Sequence, residues 1–239
     1  MGHPAVEVNG LSFRYPDGTL ALKDVSFDVA PNEKVALVGP NGGGKSTLLL
    51  HLNGVLHSST GEICIGGLPV NDDNLGQIRA RVGLVFQNPD DQLFSPRVYQ
   101  DVAFGPLHMG LPEGEVKARV ERALDAVGIR DYADRISHHL SVGEKKRVAI
   151  ATVLSMDPQI LVLDEPSAGL DPRGRRHLLQ LLKTFDQQTM LISTHDMRLA
   201  QELCSRTLVL EGGHIVAVGP TESILNDRDL MGQHGLETP

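Results

Sequence analysis

From residue 6 to residue 30 apolar and polar positions alternate, with turn signals at Pro16-Asp17-Gly18 and Pro31-Asn32. A period of two predicts two or three strands, each with one face buried. Other runs are apolar throughout: Val35-Ala-Leu-Val38, Ile160-Leu-Val-Leu163 and Thr189-Met-Leu-Ile192. That is the pattern of strands covered on both faces. Glu62-Ile-Cys-Ile65, ahead of Gly66-Gly67, and Arg81-Val-Gly-Leu-Val-Phe86 predict two more strands. Thr207-Leu-Val-Leu210 and His214-Ile-Val-Ala-Val218, joined by Glu211-Gly-Gly213, predict a hairpin.

Helical periodicity is concentrated between residues 88 and 156. Val116, Val120, Ala123, Leu124 and Val127 share one face of a helix from Glu113, and Gly128 stands at its C-terminal cap. Ser95-Pro96 is a helix-start signal, Val98 and Val102 share a face, and Gly105-Pro106 is expected to stop that helix. The pattern describes a single α/β domain over 1–239 with a mainly helical insertion at about 88–156. A polar, peripheral tail is expected from about 220 to 239.

The chain has 239 residues and 41% hydrophobic content, enough for an ordinary core. Its net charge of −8 argues against a nucleic-acid surface, which needs clustered Lys and Arg. Cys64 and Cys204 form no C-x-x-C and read as reduced, buried small residues of a cytosolic protein. No apolar run approaches the 18 or so residues of a membrane span, and the N-terminus lacks a signal-peptide pattern. The ten histidines form no H-x-x-x-H and no Cys/His cluster, so they read as scattered surface residues.

The chemistry is carried by Gly39-Pro-Asn41-Gly42-Gly43-Gly44-Lys45-Ser46-Thr47, which matches G-x-x-x-x-G-K-[ST]. An apolar strand precedes it and Leu48-Leu-Leu50 and Leu52 open a helix after it, the context this phosphate-cradling loop requires. Glycines let successive N–H groups converge on phosphate oxygens, and the helix N-terminus adds positive potential. Lys45 can reach the β- and γ-phosphates, and the Ser46 hydroxyl can ligate Mg²⁺. Downstream, Ile160-Leu-Val-Leu-Asp164-Glu165 ends a buried strand in two acids. Asp164 is placed to hold the Mg²⁺ shell, and Glu165 to polarise the water that attacks the γ-phosphate. Leu140-Ser141-Val-Gly143-Glu144 reads in two compatible ways. Ser141-x-x-Glu144 is a capping box that opens a helix through Ala151, and the same helix start is an anion site.

Taken in order, these features resemble the ATP-binding-cassette (ABC) ATPases, the nucleotide-binding subunits of ABC transporters. The matching motifs are the phosphate loop, Gln87, the 140–144 signature, Asp164-Glu165, the Ser167-Ala-Gly-Leu-Asp171 turn and Thr194-His195. The resemblance implies a P-loop NTPase fold: a RecA-like core, an N-terminal antiparallel β subdomain and an inserted α-helical subdomain. It implies ATP and Mg²⁺ as cofactors and a head-to-tail homodimer with two ATPs between the subunits. Lys45, Ser46 and Thr47 of one subunit would face Ser141 and Gly143 of the other, with Asp171 also at the nucleotide. Gln87 would touch Mg²⁺ and the attacking water, and His195 the γ-phosphate. Tyr15, in Phe13-Arg-Tyr15, resembles the adenine-stacking aromatic, although a strand aromatic packed in the core has the same pattern. Val142 and Glu144 depart from the usual Leu-Ser-Gly-Gly-Gln signature, which keeps Ser141 and Gly143 but places a carboxylate beside a phosphate-attracting helix end.

Gln87-Asn-Pro-Asp-Asp-Gln92-Leu-Phe94 resembles the run found in energy-coupling-factor importers of vitamins and transition metals. The signature helix is most similar to the cobalt and nickel subset, and closest to the cobalt-importer ATPases called CbiO. This implies a transmembrane coupling subunit (CbiQ-like), substrate-binding membrane subunits and a place at the cytoplasmic face of the membrane. Leu93, Phe94, Val98, Val102 and Phe104 either line the groove for the coupling subunit or pack the helical insertion. The alternatives are an ATPase of a vitamin importer, a non-transport ABC ATPase and a P-loop kinase.

Overall fold

The computed structural model describes residues 3–57 and 60–236. In chain order the strands are β1 (Val6–Arg14), β2 (Leu20–Val29), β3 (Lys34–Val38), β4 (Thr60–Ile65), β5 (Leu68–Pro69), β6 (Val82–Val85), β7 (Ile160–Asp164), β8 (Thr189–Ser193), β9 (Arg206–Glu211) and β10 (His214–Pro220). The helices are α1 (Lys45–Leu52), α2 (Leu75–Arg81), α3 (Val98–His108), α4 (Glu113–Ala126), α5 (Val142–Leu154), α6 (Pro172–Thr184), α7 (Met197–Leu203), α8 (Thr221–Asn226) and α9 (Arg228–Gln233).

Two sheets form. β2-β1-β4-β5 is antiparallel, and the second sheet runs β10-β9-β3-β8-β7-β6. Its inner strands are parallel, and β10 closes one edge as an antiparallel hairpin partner of β9. The uninterrupted apolar runs follow from this layering. In β3, Ala36 and Val38 face a core built with α3–α8, whereas Val35 and Leu37 face a second core shared with the antiparallel sheet and α1. β7 and β8 divide in the same way, Leu163 and Ile192 to one side and Val162 and Leu191 to the other. Successive side chains of a strand point to opposite faces, so a strand with a core on each face reads as a nearly continuous apolar run.

Three expectations are corrected. Gly105-Pro106 does not end its helix; α3 continues to His108 with Pro106 inside it. Proline removes the N–H that would bond to the carbonyl four residues back, here Val102. That carbonyl instead accepts the Ser155 hydroxyl at 2.8 Å, so no buried acceptor is orphaned. Gly105 in turn gives Met156 room: a Cβ there would lie 2.5 Å from its Sδ. The same helix begins later than Ser95-Pro96 suggested. Arg97 is its N-cap, its backbone N–H donating to Gln100 Oε1 at 3.2 Å, while the Ser95 N–H goes to Asp101 at 2.8 Å. Finally, the segment after 220 is not wholly peripheral. It forms α8 and α9 and buries Leu225 and Met231, and His234 pairs with Glu211; its end at 237–239 lies outside the described residues.

α4 and its Gly128 cap, where the Gly128 N–H reaches the Asp125 carbonyl at 3.0 Å, agree with the periodicity. α2 had no signal in the apolar pattern. Among the described residues no helix is long and apolar enough to cross a membrane. Ser155→Ala is expected to destabilise the fold by about 1–3 kcal/mol, because the Val102 carbonyl loses the partner that replaces Pro106; chemical denaturation of the two proteins measures the difference.

Candidate active site

The loop between β3 and α1 is pressed against backbone on its inner side. Gly39 has φ +153°, and a Cβ there would stand 2.0 Å from the Leu210 carbonyl oxygen. The Gly213 N–H from the β9–β10 turn donates to the Gly43 carbonyl at 3.2 Å. Only a chain without side chains at these points can lie so close to the hairpin. The loop opens onto a cleft of about 930 Å³. Lys45 is 7% exposed and folds back, its Nζ donating to the carbonyls of Gly39 at 2.7 Å and Pro40 at 3.1 Å. Burial pushes the Lys45 ammonium pKa down, and the carboxylates of Glu165 and Asp164 pull it back up. A cation held this way is poised to exchange its carbonyl partners for phosphate oxygens.

The acids sit at the end of β7. Glu165 is 5% exposed with φ +45°, a left-handed conformation uncommon for a residue with a side chain. Its N–H bonds to the Ser193 carbonyl on β8 at 3.0 Å, which fixes that turn. The carboxylate then meets both the backbone N–H of His195 at 3.2 Å and the ring Nδ1 at 2.7 Å. Asp164, one residue earlier, is 8% exposed and its Oδ1 has no hydrogen-bond partner. A buried carboxylate oxygen without a donor is what a bound cation would satisfy, so the site fits Mg²⁺.

Of the residues predicted to bind nucleotide, the loop residues Gly39 and Asn41 to Thr47 line this cleft together with Tyr15, Gln87, Glu165 and His195. Tyr15 stands in the turn after β1, edge-on to Phe13 at 4.9 Å, and shares a hydrogen bond with Thr47 Oγ1 at 3.0 Å. Asp164 is not among the residues that line the cleft, and three more predicted residues are elsewhere. Ser141 and Gly143 line a separate cavity of about 650 Å³ that has no residue in common with the first. Asp171 lines neither; it caps α6, accepting the Gly174 N–H at 2.6 Å. Ser141 caps α5 in the expected box, and that helix runs beyond Ala151 to Leu154. Ser141, with Tyr132, holds the Glu144 carboxylate below the usual carboxylate range; the backbone N–H of Ser141 has the largest effect.

Sequence reasoning missed Lys146. It is 5% exposed, and its Nζ donates to the carbonyls of Glu165 at 3.1 Å and Gln87 at 3.3 Å. Burial lowers its pKa, opposed by Glu165 and Asp164. The available signal was a lysine at a core position of a helix whose Ala149, Ile150 and Val153 are buried. The cleft also takes Gly212-Gly213 and Gly235-Leu236 from the hairpin and the C-terminal segment, contributions no motif announced.

A family profile described as ABC transporter matches residues 22–168. The chain belongs to the ABC transporter ATP-binding family. A putative ABC transporter ATP-binding protein of Streptomyces coelicolor is 55% identical, covering 98% of this chain and 90% of the relative. The energy-coupling factor transporter ATP-binding protein EcfA of Methanothermobacter thermautotrophicus is 48% identical over 98% of this chain and 76% of its own length. Among solved structures, cbiO1 from Clostridium perfringens, part of the ABC transporter complex cbiONQ, has 40% identity and a TM-score of 0.84, covering 96% of this chain and 94% of that one. A dimeric cassette in a post-hydrolysis state with ADP and Pi has 26% identity and a TM-score of 0.82, over 90% of this chain and 98% of that one. This ABC protein is therefore an ATP-hydrolysing subunit of the energy-coupling-factor branch, its nucleotide ATP with Mg²⁺.

Gly39→Ala is expected to lower the stability of this ABC subunit by 2 kcal/mol or more, on the order of the strain expected at a backbone clash. It should also weaken ATP binding at least about tenfold, because the loop must move off Leu210. Denaturation and nucleotide titration measure the two effects.

Proposed function

We propose that the chain hydrolyses ATP to power import of a transition-metal ion, cobalt before nickel, through an energy-coupling-factor transporter. The observation that carries the hydrolytic part is the contact between Glu165 and His195 beside the phosphate loop. A buried carboxylate held by a ring nitrogen at 2.7 Å and a backbone N–H has its orientation fixed at the rim of the cleft. In this reading Glu165 is the general base that polarises the attacking water, and His195 orients it and meets the γ-phosphate. Lys45 and the loop from Gly39 to Thr47 bind the phosphates, and Tyr15 offers its ring to the adenine. Ser46, Gln87 and Asp164 hold Mg²⁺, with Gln87 also reaching the attacking water. When bound, Mg²⁺ neutralises charge on the β- and γ-phosphate oxygens.

Ser141 and Gly143 line a different cavity from the phosphate loop of their own chain. That separation supports a working pair of two copies, each supplying Ser141, Gly143 and Asp171 to the nucleotide on the other. The similar cassette that is dimeric with ADP and Pi bound supports pairing of two copies. A membrane partner would dock on the outer face of α3. Phe94 is 61% and Phe104 42% exposed, and their rings stack edge to face at 4.8 Å. Leu93, Val98 and Val102 are buried in the helical core and are not part of that surface. Such a complex, with substrate-binding membrane subunits, puts this chain at the cytoplasmic side of the membrane. The metal cargo rests on similarity to cbiO1 of the cbiONQ complex. The ion would pass through the membrane subunits without touching the ATPase.

Glu165→Gln is expected to bind ATP with the parent's affinity and to hydrolyse it about 10²-fold more slowly or worse, the loss typical of a removed general base. Phosphate release alongside nucleotide titration tests this; a parental rate would remove Glu165 from the role. For cargo, the chain co-purified with its membrane subunits and placed in vesicles is expected to accumulate cobalt faster than nickel when ATP is supplied. Uptake of neither ion would reject the metal assignment.

A further inference from the structure

The start of α5 carries an arrangement beyond a simple cap. One oxygen of the Glu144 carboxylate, Oε2, accepts both the backbone N–H and the hydroxyl of Ser141, each at 2.8 Å. The other oxygen accepts the Tyr132 hydroxyl at 2.9 Å. The Arg135 guanidinium lies over the Tyr132 ring, 3.7 Å from its centroid, and holds that ring in place. A serine hydroxyl has one proton, and here it is spent on Glu144. The donors that a two-subunit site needs from Ser141 are thus occupied, in the single chain, by an anion of the chain's own.

We infer that Glu144 is an internal occupant of the phosphate seat at Ser141, that Tyr132 is the positioning residue that keeps it there, and that a triphosphate presented by a second subunit must displace it before the pair closes. This rests on the two-copy reading above. Carboxylate and phosphate are both anionic, so they compete for the same donors and the same positive helix end. Displacement has a destination. Arg147 lies three residues along α5, within reach of a residue on the same helix face, and lines the same 650 Å³ cavity as Glu144. Its guanidinium meets His177 Nδ1 at 3.3 Å, and among the described residues it forms no ion pair. The carboxylate therefore has two stations, Ser141 with Tyr132 in the separate chain and Arg147 in the closed pair.

The test uses the hydrolysis-blocked chain, Glu165→Gln, titrated with Mg-ATP while light scattering follows pairing. Adding Glu144→Gln keeps a neutral cap and is expected to lower the ATP concentration for half-maximal pairing by about tenfold, the size of a lost charge-assisted hydrogen bond with its repulsion. Tyr132→Phe is expected to lower it by less, and to add nothing in the Glu144→Gln background, since Tyr132 acts only through Glu144. ATP affinity of the separate chain, read with a fluorescent ATP analogue, is expected to stay at the parent value in all three; a general loss of structure would move it. An ATP requirement for Glu144→Gln equal to or above the parent's overturns the inference and leaves the two-copy reading intact. A parent that stays monomeric at saturating ATP overturns that reading, and the inference with it.

Discussion

The loop from Gly39 to Gly44 keeps its shape because nothing stands between it and the backbone of Leu210 and Gly213. A main-chain carbonyl where a Cβ would otherwise sit leaves no freedom of placement. The hairpin β9–β10 thereby fixes the loop from below, and the loop fixes where Lys45 and the N-terminus of α1 point. Much else at the cleft is referred to this contact. Lys45 folds onto the loop's own carbonyls, Tyr15 reaches Thr47 on α1, and Glu165, just past the end of the next strand but one, lines the same cleft.

The second constraint is the sheet. β7 and β8 end side by side, Asp164 level with Ser193, so the turn at Glu165 and the turn at His195 start from paired strand ends. Parallel strands bring their C-terminal ends to one edge, and in such sheets that edge is where ligands are bound. The left-handed turn at Glu165 is what lifts its carboxylate to His195. Lys146 braces the underside, its ammonium linking the carbonyls of Glu165 and Gln87. In the proposed mechanism the general base and the Gln87 loop would therefore move as coupled parts.

The cleft and the Ser141 cavity share no lining residue, and each holds a charged group on partners of its own: Lys45 on carbonyls, Glu144 on Ser141 and Tyr132. A single copy thus satisfies these two charged groups internally and leaves Asp164 Oδ1 without a partner. Under the proposed function, ATP would replace self-made contacts in each cavity with contacts to the nucleotide. The strength of the internal contacts would then set how much ATP is needed to bring two copies together.

Sequence alone determined the strands with two covered faces, the hairpin, α4 with its glycine cap, the capping box at Ser141 and the phosphate loop. Each rests on local rules: the period of side chains along a strand or helix, the φ a glycine permits, the reach of a side chain across one turn. Tertiary structure decided what those rules cannot reach. Pro106 lies inside a helix because a serine 49 positions later satisfies the carbonyl its missing N–H leaves free. The segment after 220 is docked because Leu225 and Met231 find a core assembled from remote elements. Lys146 serves the site because a core position on α5 happens to face two loop carbonyls. Whether a polar group is satisfied, or an apolar one buried, depends on partners distant in the chain, and only the folded chain brings them within hydrogen-bonding or packing distance.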